Sequence, residues 1–180
     1  MARILANARK RLARQTSRFA RAEQGATAVE FALVAMPFLM LVFAILELGL
    51  VFMVSLTLET AVGDVGRSIR TGQVQTGGGN ATTFKTAVCN KLSWLGSKCD
   101  AALQIDVRTY SSFTASSSAS STLNVPPSML WDPGTPGSIV LIRAYYTWPL
   151  ITPLLNTGLG SANGKRIIYA ATAFSNEPYE

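Results

Sequence analysis

The chain has 180 residues, no histidine, and sixteen Lys and Arg against ten Asp and Glu. Seven of the cations (Arg3, Arg9, Lys10, Arg11, Arg14, Arg18 and Arg21) precede Gly25, with Glu23 the one acid among them. Beyond Gly25, nine cations face nine acids. The basic excess therefore belongs to the first 25 residues. A nucleic-acid binder would need it on the folded body, and the absence of His removes the usual general base and commonest metal ligand.

Residues 1–25 read as a basic, Ala-rich leader. Lys and Arg beside a membrane span are retained on the cytoplasmic side, so the leader predicts a cytoplasmic N-terminus and inner-membrane lipid as a partner. From Phe31 to Leu46 no charge occurs, and Glu47 is the only one before Glu59. An apolar helix of about 20 residues spans a bilayer core, and Phe31–Val54 has that length. Pro37 can bend it without ending it. Leu58, Ala61, Val62, Val65 and Ile69 continue at helical spacing, which predicts one helix over residues 26–72, including Thr71-Gly72 as its stop. At 1.5 Å per residue, the helical part to Arg70 would be about 70 Å long.

A small domain follows over residues 73–180. Gly77-Gly78-Gly79-Asn80 predicts a flexible hinge. Phe84, Val88, Leu92 and Leu95 predict a short helix carrying Cys89 and ending at Gly96. Leu103, Ile105 and Val107 alternate with Gln104, Asp106 and Arg108, which predicts a half-buried strand with Asp106 on its wet face. Ser111–Thr122 reads as a solvated Ser-rich loop. Ile139–Trp148 and Ile167–Phe174 are rich in β-branched and aromatic residues and predict two more strands. Pro149, Pro153 and Gly158–Gly164 form a long excursion between them. The expected fold class is α+β: a long membrane and amphipathic helix, then a small, mainly antiparallel domain.

Cys89 and Cys99, ten residues apart, are placed outside the cytoplasm. There a disulfide worth about 3 kcal/mol is expected, with two buried free thiols as the alternative. Other motifs fail. Gly158–Arg166 lacks the spacing and the Ser or Thr of a phosphate loop. Asn80-Ala81-Thr82 matches a glycosylation acceptor only as well as a turn would. Trp94, Trp131 and Trp148 read as core and interface aromatics. No catalytic set forms without His, so neither an enzyme nor a cofactor, metal, nucleic-acid or small-molecule site is expected.

What remains is the junction Gly25-Ala26-Thr27-Ala28-Val29-Glu30-Phe31, where the basic segment ends, the apolar run begins, and one carboxylate lies inside it. A charge at that depth is costly and marks function. A secretory signal would be cut after its apolar run, but no A-x-A site follows Leu46. The junction resembles a type IV prepilin site, with Gly25 as the residue before the cut, Ala26 as the new N-terminus, Glu30 fifth and Phe31 sixth. The wider stretch to Gly49, including Pro37 and Glu47-Leu48-Gly49, resembles the TadE-like pseudopilins of the Tad pilus system. Asp64, Arg67 and the closing Asn176-Glu177-Pro178-Tyr179 fit the same pattern.

The resemblance implies cleavage after Gly25 by a prepilin peptidase. It further implies a pilus assembly or minor pilin role beside other pilin subunits, and through them cell adhesion. Glu30 would pair with the freed Ala26 ammonium of a neighbour; a protonated or interface-snorkelling Glu30 is the alternative. Glu47, about 25 Å further along, is expected at the opposite interface, reaching water. The competing function is an uncleaved, signal-anchored envelope protein whose periplasmic domain binds a partner.

Overall fold

The computed structural model describes residues 23–121, 125–152, 155 and 165–179. Most of the leader, Pro153 and the Gly158–Gly164 excursion lie outside the described residues. The chain divides into two compact units, one ending at Ile45 and the other spanning Leu46–Glu180.

The helix α1 covers Glu23–Arg70 and runs through Pro37 without ending. Its start lies three residues before the expected Ala26. In the first unit its side chains are apolar and exposed, with Phe31, Leu33, Phe38 and Phe43 among them. A helix apolar all round has to be buried in protein or lipid. Gly25–Arg70 is long and apolar enough to cross a membrane.

In the second unit α1 becomes one-sided. Glu47, Val51, Val54, Leu58, Ala61, Val62 and Ile69 are buried, at steps of three and four that hold one stripe inward. Gly66 belongs to the same stripe. A Cβ there would lie 3.0 Å from Ile142 Cδ1 and 3.4 Å from the Phe174 ring, so the missing side chain lets helix and sheet approach closely. At Gly72 the chain turns with φ +77°, a left-handed conformation that glycine adopts without penalty. A Cβ would also overlap the Tyr179 ring. Glu177 N–H donates to Arg70 O at 2.8 Å, and its carboxylate meets Arg70 Nε at 3.1 Å. The C-terminal residues thus close over the end of α1.

A short helix, α2 (Gln73–Thr76), precedes the glycines. The expected flexible hinge is an ordered turn: Gly78 takes φ +67°, and Gly79 N–H returns to Val74 O at 2.8 Å. Asn80 caps α3 (Ala81–Lys91), its Oδ1 accepting from the Thr82 and Thr83 amides while the Thr83 hydroxyl accepts from Asn80 N–H. That reciprocal cap accounts for the Asn-Ala-Thr sequence in structural terms. Phe84 and Val88 are buried, and Phe84 meets the Trp131 ring at 5.5 Å.

A 3₁₀ turn at Ser93–Leu95 leads to α4 (Lys98–Ala102), and Cys89 is disulfide-bonded to Cys99, tying α3 to α4. Cys89→Ser is expected to cost about 3 kcal/mol through loss of the loop constraint on the unfolded chain. Thermal melting of the full chain in detergent, with and without reductant, reads this directly, and identical melting would remove the disulfide's role.

The three expected strands form: β1 (Leu103–Tyr110), β2 (Ile139–Pro149) and β3 (Lys165–Ser175). They make one antiparallel sheet in the order β1-β2-β3, with Asp106 opposite Arg143 and Tyr145 opposite Tyr169. On one face Leu103, Ile105, Val107, Val140, Ile142, Ala144, Ile168 and Ala170 join the α1 stripe and α3 in a single core.

The other face departs from expectation. Within the stretch read as a Ser-rich loop, Phe113–Ser120 forms the helix α5, and Thr122 lies outside the described residues. Ser112 caps it by accepting from Ala115 N–H, and Ser116, Ser118 and Ser120 donate their hydroxyls to carbonyls three or four residues back. With three of its four serine hydroxyls satisfied internally, α5 lies over β2 and buries Leu141, Arg143 and Tyr145. The sheet is therefore covered on both faces.

Burial raises the pKa of Tyr145 and Tyr146, and it pushes Tyr169 up to about 12. Unfolded phenols ionise near pH ~10, so between about 10 and 12 the unfolded chain binds fewer protons than the folded one. Stability then falls as pH rises through that window. In an ultraviolet titration these phenols should withhold part of the phenolate absorbance until the fold is lost; complete ionisation near pH 10 with the fold intact would contradict their burial.

Candidate functional site

The four junction residues share the first turns of α1. Gly25 is the third residue of the helix, exposed, and beyond its neighbours and the local helix backbone nothing lies within 4 Å of where a Cβ would stand. The Gly25–Ala26 bond thus sits where the first helical amides have no intrahelical acceptors. Ala26 and Glu30 stand one turn apart, on the same face. Both are exposed, as is Phe31 at 74 %. None of the five ion pairs among the described residues involves Glu30. Its carboxylate is open to a group from another molecule.

Glu47 is not where the sequence placed it. It is 5 % exposed, and its two oxygens each accept a backbone N–H at 2.7 Å, Oε1 from Ile151 and Oε2 from Thr152. The chain after β2 folds back onto α1 and is clasped there. A carboxylate taking two amides makes charge-assisted bonds, each stronger than a neutral one. Their partners lie more than a hundred residues away, so no local pattern announces them.

Asp106 is the second correction. Predicted on a wet face, it is fully buried. Oδ2 accepts from Arg143 Nη2 at 2.7 Å and Nε at 3.2 Å, and Arg108 Nε reaches both oxygens at 3.0 and 3.1 Å. Oδ1 also accepts from Leu130 N–H at 2.9 Å. Arg143 Nη1 goes on to Ala119 O on α5 at 3.2 Å, and Arg108 Nη2 to Ser128 O at 3.0 Å. One carboxylate thereby joins β1, β2, α5 and the segment before Trp131. Burial is the largest single influence and works against the Arg143 charge, but the hydrogen bond to Asp106 and the charges of Asp106, Tyr145 and Tyr110 together outweigh it and leave the guanidinium pKa above its ordinary value.

Asp64 pairs with Lys91 at 3.2 Å on the surface. Asn176 is buried, donating through Nδ2 to Pro133 O and Thr135 O. Both residues of the resemblance thus have local structural tasks. No group of three or more His, Cys, Asp or Glu that could hold a metal occurs among the described residues.

The model of the TadE-like protein family matches residues 25–67. No curated protein and no solved structure matches the chain. The match begins at Gly25 and covers nearly all of α1, both its apolar stretch and most of the stripe beneath the sheet. Over this segment the chain is similar to the TadE-like family.

Proposed function

From a chain similar to the TadE-like family over residues 25–67, we propose a membrane-anchored subunit of a Tad-type pilus system, with a structural and not a catalytic role. In this reading α1 crosses the inner membrane once. The N-terminus is cytoplasmic and the sheet-bearing unit periplasmic. A prepilin peptidase cuts after Gly25, and the mature protein acts as a pseudopilin or minor pilin, packing through α1 beside other pilin subunits. The observation that carries this most is the start of the family match at Gly25, the residue at which basic leader gives way to apolar helix.

Chemistry supports the same division of labour. Cleavage removes the seven leader cations and creates an ammonium at Ala26. Glu30, exposed one turn on, is the carboxylate available to such an ammonium on a neighbouring chain. The exposed apolar side chains of the first unit suit lipid before assembly and other helices after it.

One observation favours the competing reading of an uncleaved envelope anchor: Gly25 is already helical, and a peptidase needs an extended segment at the bond it cuts. N-terminal sequencing of the protein extracted from membranes decides between them. A start at Ala26 is expected. A start at Met1 in cells with an active prepilin peptidase would leave the anchor reading alone.

A further inference from the structure

Beside the Glu47 clasp, the second unit carries an open groove of about 610 Å³ lined by Trp94, Lys98, Trp148, Pro149, Ile151 and Lys165, among others. Its residues are of two kinds. Ile151 is 80 % exposed and Trp94 42 %, an unusual display of apolar surface for water. Lys98 is exposed as well, giving the same groove an ammonium group.

The position of the groove along α1 gives this composition its meaning. Ile151 and Thr152 are held to Glu47 through their backbone amides. Glu47 is the first charge after the uncharged run of Phe31–Leu46, and a helix starting at Ala26 has crossed about 30 Å of hydrocarbon by Leu46. On the membrane-spanning reading above, Ile151 therefore lies at the level where acyl chains meet headgroups. Indole rings with an apolar body and a polar edge concentrate at that level. Lysines there lay their stems on lipid and their ammonium groups on phosphate.

We propose that this groove is a lipid-docking surface. Lys98 takes the phosphate of an anionic phospholipid in the outer leaflet of the spanned membrane, and Trp94 and Ile151 enter the upper acyl layer. Docking seats the sheet-bearing unit on the bilayer. The Glu47 clasp positions the groove, because it fixes the backbone that presents Ile151.

The test uses the full chain, disulfide intact, in phosphatidylcholine vesicles with or without phosphatidylglycerol. Some of the lipid carries bromine near the headgroup end of its acyl chains, and insertion is checked by resistance to alkaline extraction. Tryptophan emission should be quenched and shifted to the blue when phosphatidylglycerol is present, and high salt should reverse the effect. Trp94→Phe should remove most of the quenching, whereas Trp131→Phe, which alters the ring packed on Phe84, should leave it. Replacing Lys98 by Gln should weaken the docked state about fivefold with unchanged near-ultraviolet circular dichroism. A chain that inserts but whose Trp94 is indifferent to brominated lipid in both mixtures overturns the docking surface and leaves the spanning helix standing. A chain that does not insert overturns both.

Discussion

Asp106→Ala is expected to lower the stability of the second unit by about 3–5 kcal/mol, the cost of removing one partner from a buried ion pair. The Arg143 side chain is only 7 % exposed, so little water can replace the carboxylate. Leu130 N–H loses its acceptor, and Arg108 loses both of its bonds to the same group. Against a typical total of about 5–15 kcal/mol, that loss would leave much of the population unfolded on warming. The network holds together four parts of the fold, so near-ultraviolet circular dichroism and proteolysis near α5 should report the change together. A control separates lost connection from stranded charge: replacing Asp106 by Leu and Arg143 by Met removes both charges and should cost less than Asp106→Ala alone. If Asp106→Ala in detergent melts within about 1 kcal/mol of the wild type, the network is not holding the sheet.

The misreadings of the sequence share one cause. The α1 helix and the three strands were legible because each follows a period: three-four in Leu58, Ala61, Val62 and Ile69, and two in Leu103, Ile105 and Val107. Periodicity assumes that one face of a strand is wet. Here α5 covers that face, and α5 itself was hidden, since a run of serines has the composition of a loop. Only its cap at Ser112, its internally bonded hydroxyls and the buried Asp106–Arg143 pair beneath it make a helix there. Glu47 was misplaced for a similar reason. Depth along a helix can be counted in residues, but the amides of Ile151 and Thr152 reach it only through the fold. The glycines at 77–79 show the opposite limit: composition located the turn correctly yet could not tell an ordered one from a hinge. The junction was legible because its signal is local, a change of charge and hydropathy within seven residues.

Glu30→Ala and Gly25→Val should separate cutting from assembly. Gly25→Val places a branched side chain where a peptidase needs a small residue, so the product should keep its Met1 start and its leader. A Cβ at Gly25 meets nothing within 4 Å outside its own stretch of helix, so no clash with the described residues is expected. Failure to mature would therefore reflect recognition and not misfolding. Glu30→Ala should still yield an Ala26 start but fail to enter the assembly. Between packed helices in lipid, the Ala26 ammonium would then have no counter-charge, and removing one partner of such a pair costs about 3–5 kcal/mol. Glu30→Gln is the sharper variant, because it keeps the length and the hydrogen-bonding carbonyl while removing the charge. Impaired assembly by Gln as well as Ala means that registry depends on charge, and rescue by Gln means that it depends on a hydrogen bond. Normal incorporation of Glu30→Ala, measured by crosslinking to neighbouring subunits, would remove the ion pair altogether and leave Glu30 as a carboxylate that snorkels to the interface.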